Sequence, residues 1–249
     1  MRHAAILITL ATLLPASRCG TDSPPVIPLF SPSAPGSVTG TARLYGVLKP
    51  DRSMGWGIPT CGGKPVDLSK LDTIPLGKGQ SMGNVYVAVK SGLGDRRLPT
   101  PGDPVLLRQV GCVYEPRVLG IMTNQLLRIR NYDDTMHNVH IAPSINPTFG
   151  RGQRAKGEDE TFTYSKSELA IPIKCNIHPW MRAWLHVSEH PYFAVTAADG
   201  AYSIPGLPPG EYEILAWHER FLKAPLASKV KVEAGRTSTL DFTFELPRK

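Results

Sequence analysis

Cys175-Asn-Ile-His178-Pro-Trp-Met181 places a thiol, an imidazole and a thioether within seven residues, and Met136-His137-Asn138-Val139-His140 adds imidazole from upstream, His137 lying 38 residues before Cys175. Two nitrogens, a thiolate sulfur and a weak thioether make up the ligand field of a type 1 (blue) copper centre. That field suits Cu(I) and Cu(II) in nearly one geometry, so a single electron comes and goes with little rearrangement. The set is His137, Cys175, His178 and Met181 around one copper, and it points to electron transfer rather than bond-making chemistry. A zinc reading would take Cys175, His178, His137 and His140 as ligands. His137 and His140 are three apart in an extended segment, so their side chains point to opposite faces. His140 is therefore read as a packed or surface residue, the fallback only if His137 is not a ligand. His186, His190 and His218 have no ligand-like neighbours and are read as structural.

Working outward, short runs rich in Val, Ile, Tyr and Thr alternate with turns in a chain of 249 residues that has 23 glycines and 24 prolines. This predicts an all-β protein. Leu127 and Ile129 alternate with Leu126, Arg128 and Arg130 as in a half-buried strand. The stretch 170–174 leads straight into the cysteine loop, and 183–187 follows it. Towards the C-terminus, Asp199-Gly200 and Pro208-Pro-Gly210 are turn signals that predict a series of hairpins, with 192–196 turning back into 201–204 and then into 211–217. A cluster of Gly and Pro at 92–104 marks a boundary.

Arg2 and His3 followed by the apolar run 4–14 read as a secretory signal. At about 1.5 Å per residue that run is too short to cross the roughly 30 Å of a bilayer core. Export to the periplasm or outer envelope is the expected location. Cys19 is a candidate for lipidation and membrane tethering, although Arg18 fits a lipobox poorly. In an oxidising compartment Cys61 and Cys112, left over once Cys175 and Cys19 are accounted for, are expected to form a disulfide. The formal charge is +7, or about +5 without Arg2 and Arg18. The basic residues are spread along the chain with no nucleic-acid motif, so no nucleic-acid partner is expected; a basic face could steer an acidic redox partner. Hydrolase, metalloprotease and phosphate-loop strings are lacking, so the chain is read as a non-enzyme.

Residues 112–188, through Tyr114-Glu-Pro-Arg-Val-Leu-Gly, Leu127-Arg-Ile-Arg-Asn131, His137-Asn-Val-His140 and the Cys175-x2-His178-x2-Met181 spacing, resemble the cupredoxins, their amicyanin-like members most closely. The resemblance implies a Greek-key β-sandwich in which His137, Cys175, His178 and Met181 bind copper. It implies that Asn138 ties the first ligand loop to the cysteine loop, and that the edge of His178, flanked by Pro179 and Trp180, is the electron port. Met136 stands where the family often has proline, and Thr123-Asn124 where it has a turn glycine. The flanks, Gly36-Ser-Val-Thr-Gly-Thr and the stretch 196–212, are similar to the carboxypeptidase regulatory-like (transthyretin-like) sandwich. The expected organisation is a signal at 1–19, a Pro/Ser-rich linker at 20–36, a discontinuous flanking sandwich at 37–93 and 191–249, and a cupredoxin at 94–190 inserted in or packed on it. The expected function is an exported copper protein passing electrons between redox partners. Its rivals are an envelope scaffold, adhesion or carbohydrate-binding protein, and a copper carrier.

Overall fold

The computed structural model describes residues 34–46, 59–71, 78–222 and 225–246. The expected signal segment, Cys19 and most of the expected linker lie outside them. The strands, in chain order, are β1 (Gly36–Tyr45), β2 (Thr60–Cys61), β3 (Lys64–Pro65), β4 (Tyr86–Ser91), β5 (Val105–Gln109), β6 (Tyr114–Glu115), β7 (Val118–Met122), β8 (Leu127–Asn131), β9 (His137–Ile141), β10 (Phe149–Gln153), β11 (Glu160–Phe162), β12 (Glu168–Lys174), β13 (Arg182–Ser188), β14 (Phe193–Val195), β15 (Ala201–Leu207), β16 (Gly210–Trp217), β17 (Leu226–Val232), β18 (Thr237–Thr239) and β19 (Phe242–Glu245). The protein is all-β; the helical residues described are short 3-10 turns, and no described helix is long and apolar enough to cross a membrane.

Strands β5 to β13 build one sandwich from a five-stranded sheet, β10-β9-β12-β13-β7, and a four-stranded sheet, β11-β8-β5-β6. The alternation seen in the sequence aims Leu127, Ile129, Val139, Ile141, Ile173 and Leu185 into the core between them. Asn124 takes a left-handed φ of 63° at the turn before β8, a conformation asparagine tolerates better than most residues.

A second pair of sheets, β15-β1-β18 with β19 also on β1, and β14-β4-β16-β17, encloses Val38, Leu44, Val87, Ile204, Ile214 and Phe244. Here the hairpin expectation fails. The Asp199-Gly200 turn is present, with Asp199 accepting from the Ala201 amide at 3.0 Å. The strands it joins nevertheless enter different sheets, β14 pairing with β4 and β15 with β1. The Pro208-Pro-Gly210 turn likewise carries the chain from one sheet to the other. Turn chemistry reverses the chain locally, but strands from far upstream take the ladder positions.

The two sandwiches meet along the outer face of the five-stranded sheet. Tyr86 stacks on His186 with ring centroids 4.0 Å apart, and Trp217 packs edge-on against His186 and Trp184 at 4.6 and 5.3 Å. Arg117 pairs with Glu219 in a bidentate bridge, and the Trp184 indole N–H donates to the same carboxylate at 3.0 Å. Gly120 permits the close approach, because a Cβ there would lie 2.6 Å from the Phe193 ring. This contact explains why Val85-Tyr-Val-Ala-Val reads as an unbroken apolar run. Val87 and Val89 face their own core, while Tyr86 and Ala88 face the neighbouring sandwich.

Candidate metal centre

Cys175 follows directly on β12, and Arg182, at the start of β13, follows directly on Met181. The Cys175 amide donates to the Met181 carbonyl at 3.2 Å and the Met181 amide to the His178 carbonyl at 2.9 Å, closing the seven residues into one compact loop. His137 opens β9 with its side chain pointing inward. All four sequence-derived candidates are buried: His137 and Met181 fully, Cys175 nearly so, and His178 with 9% exposure. The two Nδ1 atoms of His137 and His178 lie 3.0 Å apart, and His178 Nδ1 is 3.8 Å from Cys175 Sγ. His140 lies on the outer face of β9, so the four-ligand zinc set does not form.

Those separations fit a shared metal ion. Bonds of about 2.0 Å to imidazole nitrogen and about 2.3 Å to thiolate, the values of zinc sites, span up to about 4.0 Å between two nitrogens and about 4.3 Å between nitrogen and sulfur. Both observed distances fall inside these limits, so the His137–His178 and the His178–Cys175 pairs are each spaced for a shared ion. Cys112, His137 and His178 also present donor atoms within 4.8 Å of one another. Cys112 is joined to Cys61 in a disulfide, however, so the sulfur available as a thiolate is that of Cys175.

The surroundings favour the ligand forms of Cys175 and His178. Burial alone would push the Cys175 thiol up. Hydrogen bonding from the His137 ring and from the amides of Asn138, His178 and Ile177 outweighs it and holds the thiol below its usual value. The Asn138 and His178 amides each lie 3.4 Å from the sulfur. Burial, followed by the nearby charge of His137, lowers His178 and so keeps its nitrogens free of a second proton. His137 is raised despite its burial, through its contacts with Cys175 and Asp133.

The sequence reading missed Asp133. Its Oδ2 accepts from His137 Nε2 at 2.8 Å and from the Cys112 amide at 2.9 Å, while Oδ1 accepts from the Gly111 amide at 2.6 Å. Placing the His137 proton on Nε2 leaves the Nδ1 lone pair directed at the site. Gly111 and Cys112 form the turn between β5 and β6 with φ of 66° and 57°, the pattern of a type I′ turn. A left-handed φ is unfavourable for a residue other than glycine. The paired amide bonds to Asp133 and the disulfide hold Cys112 there.

Tyr114 was missed as well. Its hydroxyl donates to the carbonyls of Asn138 at 2.8 Å and Lys174 at 3.2 Å, joining the residues beside His137 and Cys175. Asn138 meets the cysteine loop through its backbone N–H, which donates to Cys175 Sγ at 3.4 Å, while its side-chain amide donates to Arg151 O at 3.2 Å. Trp180 is pinned rather than open, its indole N–H donating to Cys112 O at 3.1 Å with its ring 5.2 Å from His178. Pro179 accepts from Arg182 through its carbonyl at 3.4 Å. Cys112 Sγ lies 4.0 Å from His178 Nε2, so the disulfide sits beside the imidazole ring.

Residues 165–240 match the family described as polysaccharide lyase family 4, domain II. The segment runs from just before β12 to the end of β18, and this description stands in place of the expected carboxypeptidase regulatory-like domain. No curated protein matches the chain. Solved structures similar to it include a copper-containing nitrite reductase from Thermus scotoductus, at 25% identity and a TM-score of 0.32, over 35% of this chain and 23% of that one. A purple cupredoxin from Nitrosopumilus maritimus is 18% identical with a TM-score of 0.29, over 33% of this chain and 98% of that one. Amicyanin from Paracoccus versutus is 20% identical with a TM-score of 0.31, over 41% and 97%. The chain thus spans less than a quarter of the nitrite reductase.

Proposed function

We propose that this chain is an exported, non-enzymatic copper protein that takes single electrons from one redox partner and gives them to another, with His137, Cys175, His178 and Met181 as copper ligands. The observation that carries the reading is the convergence of a buried thiolate and two facing imidazole nitrogens, with a fully buried methionine closing the same loop. When bound, copper in such a set supplies a one-electron couple. The chain's residues do the rest. Asp133 and Tyr114 fix the ligands before any ion arrives, N–H donors favour the thiolate form of Cys175, and burial excludes water. Rigid, pre-placed ligands suit electron transfer because little has to move when the charge changes.

A copper carrier needs ligands that exchange readily with the outside, and these four are buried. A scaffold or carbohydrate-binding role for the flanking sandwich would not call for a buried thiolate beside two imidazoles. The test is to load the purified chain with one equivalent of Cu(II). Intense visible colour and a narrow copper hyperfine splitting in electron paramagnetic resonance are expected, both lost in Cys175→Ser. A colourless copper complex, or a spectrum unchanged by that substitution, would overturn the reading.

A further inference from the structure

The second sandwich covers only half of the outer face of the five-stranded sheet. Trp184, His186 and Gly120 lie beneath it, while the half nearest the metal loops stays open. Across this open half the strand register sets Lys174 directly opposite Arg182 on one side and His140 on the other. Gly150 follows opposite His140 and adds no side chain to the row. Directly opposed residues share a face with Cβ atoms roughly 5 Å apart, and like charges so placed repel. Lys174 and Arg182 are exposed, and neither has an acidic partner among the described residues. Glu219, on the neighbouring sandwich, is engaged by Arg117 and Trp184. Elsewhere on this sandwich some exposed basic residues do find acids: Arg108 binds Glu115, and Arg128 and Arg130 flank Asp159.

We propose that this open strip, carried by Lys174, Arg182 and His140, is the docking surface for an acidic protein. An opposed cationic pair, Lys174 and Arg182, without an acidic partner among the described residues works against folding and gains a counter-charge from an acidic partner. Lys174 and Arg182 are the chain neighbours of Cys175 and Met181, so a partner seated here lies against the metal loops. The inference goes beyond the electron-transfer reading without requiring it, since the strip attracts an acidic surface whether or not a metal is bound.

The experiment titrates the isotope-labelled full chain with poly-L-glutamate as an acidic polypeptide probe and maps the amide shifts by NMR, at low ionic strength and near 1 M salt, where the screening length is about 3 Å. Shifts confined to the strip around 138–140, 174 and 182, and abolished by salt, are expected. The double variant Lys174→Glu/Arg182→Glu should weaken binding about tenfold or more, whereas Lys229→Glu/Lys231→Glu on the far sandwich should not. If the charge-reversed pair fails to fold, Lys174→Gln/Arg182→Gln serves in its place. Shifts centred elsewhere, equal loss in both pairs, or tighter binding of a DNA oligomer than of polyglutamate would overturn the proposal. Copper loading is followed separately, so failure of the docking surface and failure of the copper site are told apart.

Discussion

Asp133→Asn is the most informative single perturbation of the site. Asp133 takes three N–H donors, from Gly111, Cys112 and His137, on two carboxylate oxygens. Asparagine is nearly isosteric but offers one oxygen, and its NH₂ must then face a donor. At least one N–H loses its acceptor, and the remaining bonds lose their charge. Hydrogen bonds to charged groups contribute about 1.5–3 kcal/mol each, so the metal-free chain should lose about 2–4 kcal/mol in urea unfolding. The tautomer of His137 is no longer fixed, and loss of an outer carboxylate on a ligating histidine weakens metal binding about 10–100-fold. Removing a negative charge beside the site also favours the reduced ion, so the reduction potential should rise. Competition with a chromogenic Cu(I) chelator measures the affinity, and voltammetry the potential. An affinity within about twofold of wild type, a change of less than roughly 0.5 kcal/mol, would show that Asp133 serves only the Cys112 turn and does not position His137.

The other expectations concern the two-sandwich architecture. His186 is fully buried, and burial pushes it down to about 3. Because its folded value lies below the unfolded one, the unfolded chain takes up the proton first and stability falls as pH drops below about 6.5. Between pH 7 and pH 5 this amounts to about 2 kcal/mol, and His186→Gln should remove that part of the acid sensitivity in paired urea titrations. Trp217→Ala removes a fully buried tryptophan from the contact between sandwiches and should cost about 3–5 kcal/mol, with one thermal transition expected for the unaltered chain and two for the variant; one unsplit transition in the variant would refute the idea that Trp217 couples the bodies. Lys174→Glu, which turns the like-charge cross-strand contact with Arg182 into an attractive one, should stabilise the chain by about 0.2–1 kcal/mol, read from its melting midpoint at low salt.

The burial of the four candidates could be read from the chain because three of them share one short loop and the fourth opens a strand whose alternation fixes which face it takes. His137 inward and His140 outward follow from strand geometry alone. Asp133 and Tyr114 could not be read the same way. An aspartate in a polar loop and a tyrosine after a cysteine look ordinary until the β5–β6 turn is folded against the start of β9. The same holds for the flanking strands. Asp199-Gly200 and Pro208-Pro-Gly210 mark real reversals, but β1 and β4 decide the pairing, and those lie over a hundred residues upstream. The run at 85–89 is ambiguous for a related reason, since burial by a second body erases the alternation that would show which side faces its own core.

The placement of the second sandwich also has a consequence for how the centre can be reached. Trp180 and the Cys61–Cys112 disulfide close over His178, and Tyr86, Trp217 and Phe193 close the far half of the sheet. The exposed side chains next to the ligands include Met136 and Ile177, apolar and each about half exposed at 51% and 47%, with the polar Asn176 and the cationic pair of Lys174 and Arg182. An apolar contact beside a charged strip separates two tasks: the charges bring a partner in from a distance and set its orientation, and the small apolar rim is what remains to be desolvated on contact. Replacing Ile177 with Asp should therefore slow electron exchange with a protein partner even at high salt, where reversing Lys174 and Arg182 no longer matters. If instead salt abolished both effects equally, the rim and the row would be one electrostatic patch, and the division of labour argued from their geometry would be wrong.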